Sequence, residues 1–121
     1  MDLQSPVNWE QLEWEAVRPG VKRKVFQAEG GTLVLNHLEP GHKPQPHSHA
    51  NEQIVFILQG EAEFPVGSKV FKLGPGSLLV VPPNVEHYAR ATGKEALINL
   101  DFFIPRREDY RQSKPISSRT G

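Results

Sequence analysis

The stretch Pro46-His-Ser-His-Ala-Asn-Glu-Gln-Ile-Val-Phe-Ile-Leu-Gln-Gly60 carries two histidines one residue apart, followed by a run of β-forming residues. Because side chains alternate along an extended chain, His47 and His49 should point to the same side. The same parity, continued without a bulge, brings Gln53 to that side. Glu52 is the alternative oxygen ligand, but neighbours on a strand face opposite ways, so only one of the two can join the histidines.

A second stretch, Gly76-Ser-Leu-Leu-Val-Val-Pro-Pro-Asn-Val-Glu-His87, ends on another histidine after a short apolar run. The chain contains no cysteine, which excludes thiolate ligands and a cysteine nucleophile. His47, His49, Gln53 and His87 are therefore our predicted metal ligands. The alternative is a set of surface or buried histidines that bind no metal.

The bulk composition predicts one soluble domain. The 121 residues have 37% hydrophobic and 23% charged residues and a formal net charge of zero. This balance gives no electrostatic signature of nucleic-acid binding, and no apolar run is long enough to span a bilayer. We expect a single domain over residues 1–121, with a barrel core at 20–104 and a disordered tail at 111–121. With no recognisable signal peptide, a cytoplasmic location is expected.

Ten glycines and 11 prolines punctuate short β-rich runs, a pattern that favours an all-β sandwich or barrel. Residues 1–16 could hold a short helix or a first strand. Eight strands are predicted, at 21–28, 32–38, 53–58, 61–66, 69–73, 77–81, 87–90 and 96–104.

With these two stretches the chain resembles the cupins, which are jelly-roll barrels built as a double-stranded β-helix. Their first motif reads Gly-x5-His-x-His, then three or four residues, Glu, six residues and Gly. The chain matches it at Gly41, His47, His49 and Gly60, with Gln53 at the Glu position. The resemblance implies an all-β cupin fold.

The second cupin motif, Gly-x5-Pro-x-Gly-x2-His, matches at Gly76, Pro82 and His87. Asn84 replaces the second glycine, a mild departure because asparagine tolerates a left-handed backbone conformation. The Asn that often closes this motif is absent, since Ala91 stands there.

Gln53 narrows the resemblance to the pectin-degradation cupins, the KdgF family, whose metal ligands are three His and one Gln. The likeness covers most of residues 8–110. In that family a later Asp, Phe and Arg line the active site, which implies catalytic roles for Asp101, Phe103 and Arg107. Small polyketide cyclases among the cupins share a similar metal signature.

The resemblance implies a metal-dependent isomerase or lyase-like enzyme that converts a 4,5-unsaturated uronate into its linear 4-deoxy-5-keto form. Its cofactor would be one divalent ion among zinc, nickel, iron, manganese and cobalt. Zinc or nickel is favoured, because no redox step is needed. The expected partners are a small anionic substrate such as a sugar acid and a second copy in a homodimer, with no nucleic acid and no membrane. The alternatives are a polyketide-cyclase-like or dioxygenase cupin, or a non-catalytic cupin that binds a metal or small ligand.

Two predictions conflict at the last strand. One of its faces carries Asp101 and Phe103, whereas the other is entirely apolar from Ala96 to Ile104. Periodicity alone buries the apolar face and exposes Asp101. The resemblance implies the reverse, with Asp101 in the pocket and the apolar face turned to an outer layer or a dimer partner.

Overall fold

A computed structural model describes residues 4–117 of the chain, and it is all-β, as predicted. Within these residues the only helical element is one turn of 3-10 helix, at Trp9–Gln11. The nine strands are β1 Glu15–Arg18, β2 Val21–Gln27, β3 Thr32–Leu38, β4 Glu52–Gln59, β5 Ala62–Val66, β6 Lys69–Leu73, β7 Leu78–Val81, β8 Arg90–Ala91 and β9 Leu97–Ile104. The strands are two to eight residues long, which agrees with the short apolar runs in the sequence.

The strands form two antiparallel sheets that enclose a common core. The six-stranded sheet has the order β1-β2-β3-β9-β4-β7, and the three-stranded sheet has the order β6-β5-β8. The main core combines buried apolar residues from both sheets: Val21, Leu38, Val55, Ile57, Ala62, Phe64, Leu73, Val81, Ala91 and Leu97. The predicted jelly-roll barrel is thus confirmed.

The predicted strand at 87–90 is displaced, because the observed strand is Arg90–Ala91. His87 lies before it and forms isolated backbone bridges with His47 and Val66 instead. The backbone N–H and C=O groups of His87 therefore pair with separate segments at the rim of the barrel rather than with one neighbouring strand. At the N-terminus both sequence alternatives contribute, a short 3-10 turn and then strand β1.

Two turn positions explain residues in the motifs. Asn84 adopts φ of 63°, so the asparagine takes the left-handed conformation that the cupin pattern usually gives to glycine. Gly60, with φ of 86°, directly follows β4, and a Cβ atom there would lie 2.7 Å from the carbonyl oxygen of Ala96. A side chain at Gly60 would collide with backbone that leads into β9.

The disordered tail predicted at 111–121 is wrong for residues 111–117. Ser113 donates its backbone N–H to the Val25 carbonyl at 3.0 Å, and its hydroxyl accepts from the Val25 N–H at 2.6 Å. Strand β1 pairs with β2 only as far as Arg23, so the exposed edge of β2 beyond it needs partners, which this segment supplies. Residues 118–121 lie outside the described range.

Part of the outer surface of the six-stranded sheet is apolar. A shallow groove on it is lined by Leu33, Ile54, Phe56, Leu100 and Phe102. Strand β9 therefore turns its apolar face outward, which settles the conflict at Asp101 in favour of the resemblance and against simple periodicity. Among residues 4–117, no helix has the length and apolar character needed to cross a membrane.

Candidate metal centre

The three motif histidines meet at the rim of the barrel. His47 and His87 pair through reciprocal backbone hydrogen bonds, from His47 N to His87 O at 3.1 Å and from His87 N to His47 O at 2.9 Å. The ring of His49 lies against both of them, with centroids 5.8 Å from His47 and 4.8 Å from His87. One ligand atom from each ring can be chosen so that all three atoms lie within 4.8 Å of one another. This spacing fits a single ion held by three imidazoles.

Each imidazole is oriented by a backbone carbonyl. In all three rings Nδ1 lies 2.8–2.9 Å from the carbonyl oxygen of a residue two positions away, namely Gln45, Asn51 and Val85. Because a carbonyl oxygen only accepts, Nδ1 must carry the hydrogen, and Nε2 is left with its lone pair free. This is the arrangement that orients histidine ligands in metal sites.

The charge state of the rings also suits a metal. Burial, together with His47, His49 and Arg107, lowers the pKa of His87 to about 4. Burial is also the largest cause of the lowered pKa of His49. The imidazoles of His49 and His87 are therefore available in the neutral form near neutral pH, without losing protons first.

Gln53 completes the donor set. It begins the inner face of β4, is 2% exposed, and its Oε1 lies 3.0 Å from Nε2 of His49. With the His49 hydrogen on Nδ1, these are two acceptor atoms facing each other, an arrangement that a shared cation would relieve. His87 Nε2 is likewise buried and has no hydrogen-bond partner within residues 4–117. Glu52, in contrast, is exposed.

These residues fit a divalent metal ion. Three imidazole nitrogens and one amide oxygen form a neutral donor set of the kind that holds zinc, nickel and other first-row divalent ions. The structure thus brings together His47, His49 and His87 as a cluster that could bind a metal, with Gln53 beside it.

Asp101, in the centre of β9, accepts a hydrogen bond from Gln53, which lies beside this cluster. Its carboxylate accepts hydrogen bonds from Asn36 Nδ2 at 2.8 Å and from Asn99 Nδ2 at 2.9 Å. Burial raises the pKa of Asp101 to about 6, against the hydrogen bonds from Gln53, Asn36 and Asn99 and the charge of Arg107. A carboxyl group with such a pKa can both accept and return a proton near neutrality.

Arg107 reaches the same space from the segment after β9. Its side chain is only 11% exposed and forms a two-point ion pair with Asp109, with Nε and Nη2 donating at 3.0 and 2.8 Å. Burial alone would lower the pKa of Arg107, but the Asp109 carboxylate and other neighbours raise it. The guanidinium stacks 4.9 Å from the Phe103 ring and 4.2 Å from the Tyr110 ring, and Nη1 is buried without a partner in the described residues.

One cavity of about 350 Å³ collects these groups. Of the seven residues predicted for the site, six line it: His47, Gln53, His87, Asp101, Phe103 and Arg107. His49 is not in its wall but contacts Phe103 edge-on, with ring centroids 5.2 Å apart. The cavity therefore joins a candidate metal centre to a carboxylate, an aromatic wall and a guanidinium.

Three cavity residues were not predicted from the sequence: Asn36, Asn99 and Tyr110. Parity along β9 was a usable signal for Asn99, since it lies two residues before Asp101 on the same face. Asn36 pairs directly with Asn99 across β3 and β9, a register that the sequence does not give. Tyr110 lies beyond the last strand, where no periodicity applies.

Comparison with known proteins agrees with this architecture. The family model described as "Cupin domain" matches residues 34–103. The solved structure of KdgF from Halomonas sp. has a TM-score of 0.80 and 29% identity, covering 88% of this chain and 98% of its own. An RmlC-like cupin from Shewanella frigidimarina NCIMB 400 has a TM-score of 0.79 and 28% identity, covering 88% of this chain and 96% of its own.

A curated relative is the H2HPP isomerase of Bacillus subtilis, 32% identical over 92 residues that make up 74% of this chain. The chain spans only 37% of the length of that relative. The L-ectoine synthase of Vibrio campbellii is 28% identical over 93 residues, 76% of this chain and 70% of the relative. The family match covers more than half of the chain and agrees with its two-sheet fold and histidine cluster. The chain belongs to the cupin domain family.

Proposed function

We propose that this chain is a metal-dependent enzyme that converts a 4,5-unsaturated uronate into its linear 4-deoxy-5-keto form. The observation that carries the proposal is the position of the Asp101 carboxylate, beside the histidine cluster and in the same cavity as Arg107. The similarity to KdgF from Halomonas sp. over 88% of the chain supports it.

His47, His49, His87 and Gln53 would hold the metal. When bound, a divalent ion supplies Lewis-acid polarisation of substrate oxygens. All four ligands are neutral, so they leave the charge of the ion uncompensated, and this favours an anionic substrate. Zinc or nickel suits the proposal because the reaction is an isomerisation with no redox step.

Arg107 is the proposed binding group for the substrate carboxylate. Its guanidinium is held by Asp109 on one edge, while Nη1 has no partner within residues 4–117 and remains available. A planar guanidinium matches the geometry of a carboxylate. Phe103 lines the cavity and provides an apolar wall against which the sugar ring can lie.

Asp101 is the proposed proton carrier. In the cyclic substrate, it takes the proton from the anomeric hydroxyl, the bond between the anomeric carbon and the ring oxygen breaks, and an aldehyde and an enolate form. The enolate then becomes a ketone as Asp101 delivers that proton to C4. The net change moves one proton from oxygen to carbon, so substrate and product have the same composition. A pKa near 6 suits a group that must first accept and then return a proton.

The test is a turnover assay with freshly produced 4,5-unsaturated galacturonate, following the loss of its double-bond ultraviolet absorbance above the spontaneous rate. We expect acceleration that a chelator abolishes and added zinc or nickel restores. Asp101→Asn should keep the metal and lose turnover, whereas Glu108→Gln, which alters an exposed carboxylate outside the cavity wall, should behave as wild type. Fully metallated protein without acceleration would contradict the proposal.

A second candidate is an isomerase that acts on a different small anion. The 32% identity with the H2HPP isomerase of Bacillus subtilis favours it, although the chain spans only 37% of that relative. The same cavity groups would serve, with Asp101 again moving the proton. Accelerated ring opening of unsaturated galacturonate would identify the uronate enzyme, whereas proton exchange with deuterated water on an unsaturated or keto acid that has no sugar ring would identify the second candidate.

We also propose a homodimer. The groove formed by Leu33, Ile54, Phe56, Leu100 and Phe102 is an apolar surface on the outside of the larger sheet. Size-exclusion chromatography coupled to light scattering should give twice the chain mass, and Phe56→Glu should shift the protein towards the monomer. A monomeric wild-type protein at micromolar concentration would contradict this.

A further inference from the structure

Asn99 is a buried polar residue of the cavity wall. It is 2% exposed, sits in the middle of β9, and pairs across the sheet with Asn36 on β3 and with Ile57 on β4. It lines the same cavity as the candidate metal centre. A buried asparagine in this position must satisfy its amide there or bind something that enters the cavity.

The orientation of the Asn99 amide is fixed by Asp101. Nδ2 of Asn99 lies 2.9 Å from Oδ1 of Asp101, and a carboxylate oxygen needs a donor. The amide therefore presents its NH₂ group to Asp101 and its Oδ1 elsewhere. That Oδ1 is buried and meets no hydrogen-bond donor among residues 4–117.

Two other polar atoms of this cavity are also buried without a partner in the described part of the chain: His87 Nε2 and Arg107 Nη1. The proposed function accounts for both, the first by the metal and the second by the substrate carboxylate. The Asn99 oxygen is an acceptor, so the substrate carboxylate cannot satisfy it, and the proposed metal site already has four donors in the three histidines and Gln53. It needs an O–H or N–H donor from the ligand.

We propose that Asn99 determines specificity by accepting a hydrogen bond from a hydroxyl group of the substrate. The site would then select hydroxylated acids over deoxy acids of the same size. This inference rests on the proposed function. In a 4,5-unsaturated uronate, the non-reacting ring hydroxyls are those at C2 and C3, so one of them is the donor.

Asn36 provides a matched control. It makes the same kind of contact with Asp101, from Nδ2 at 2.8 Å, but its Oδ1 is not a buried atom without a partner. Loss of Asn36 should therefore disturb Asp101 without changing the recognition of a hydroxyl group. The two asparagines separate the positioning of the carboxylate from the selection of the substrate.

The experiment is calorimetric titration of the zinc-loaded protein with D-galacturonate and its 2-deoxy and 3-deoxy derivatives, none of which carries the reacting double bond. We expect one of the two deoxy acids to bind wild type about tenfold more weakly than galacturonate. Asn99→Ala should bind that deoxy acid and galacturonate equally, and Asn36→Ala should keep the tenfold preference.

Equal binding of all three acids by wild type would overturn the inference, and this comparison needs no variant that must fold. If wild type accelerates uronate turnover but binds all three acids equally, the proposed function is supported and the proposed role of Asn99 is refuted. If no acid binds and no turnover is seen, the proposed function and the role of Asn99 are both refuted. A preference that Asn36→Ala loses and Asn99→Ala keeps would also overturn it.

Discussion

Replacing Asp101 by asparagine should make the metal-free protein more stable at pH 8, although it removes the proposed proton carrier. Burial raises the pKa of Asp101 from 3.8 to about 6, so ionising it costs more in the folded protein than in the unfolded chain. At about 1.4 kcal/mol per pKa unit, the carboxylate destabilises the fold by about 3 kcal/mol at pH 8. Asparagine has no such cost.

The pH window follows from the direction of this shift. Between pH 4 and pH 6 the unfolded chain binds fewer protons at this position than the folded protein does, so stability falls as the pH rises through that window. Asparagine keeps the shape but cannot accept from both Asn36 and Asn99, which offsets about 1 kcal/mol. The expected net gain is about 2 kcal/mol at pH 8, and it should vanish near pH 4.

Urea denaturation of chelator-treated wild type and Asp101→Asn at pH 4 and pH 8 measures this directly. Asp109→Asn is the control with the opposite sign, because a hydrogen bond from Arg107 lowers the pKa of Asp109. It should give no gain at pH 8. A difference between Asp101→Asn and wild type that is the same at both pH values would refute the argument that burial penalises the Asp101 carboxylate.

The remaining predictions concern the metal ligands and the fold. His87→Ala and Gln53→Ala should each weaken zinc binding by about 100-fold or more, measured by chelator competition, and turnover should fall with it; full zinc affinity in either variant would remove that residue from the ligand set. Nitrogen NMR of the metal-free protein should show the Nδ1–H tautomer for His87 and no protonation above about pH 5, since its pKa is lowered to about 4. Gly60→Ala should destabilise the fold by about 2 kcal/mol or more in urea denaturation, because its Cβ atom would meet the Ala96 carbonyl oxygen at 2.7 Å; a change below about 0.5 kcal/mol would contradict this.

Much of the fold could be predicted from the sequence because its signals are local. Glycine and proline mark the turns, and two-residue periodicity together with β-forming residues marks the strands. Where backbone partners come from distant segments, the same signals fail. The strand predicted at 87–90 but observed at Arg90–Ala91 is an example, because His87 pairs with His47, a residue 40 positions earlier. The ordered segment at Ser113 is another, since its partner is Val25.

The candidate site shows the same limit in its chemistry. Parity predicted that His47, His49 and Gln53 share one side, and they do lie together, although a bend at Ala50 and Asn51 separates the two histidines from β4. Alternation also held along β9, but the choice of the buried face was wrong, because the apolar face lies on the outer surface and the face with Asp101 turns inward. A rule that buries apolar faces cannot anticipate an interior that holds a carboxylate supported by amides.

The paired backbones of His47 and His87 have a dynamic consequence. These two residues lie on rim segments outside the named strands, whereas Gln53 and Asp101 lie within the ladders of the larger sheet. The rim can therefore open locally while the sheet stays folded, and its amide protons should exchange with solvent faster than those of β4 and β9. An ion bound to both parts would couple them, so the residence time of the metal should follow the opening rate of the rim.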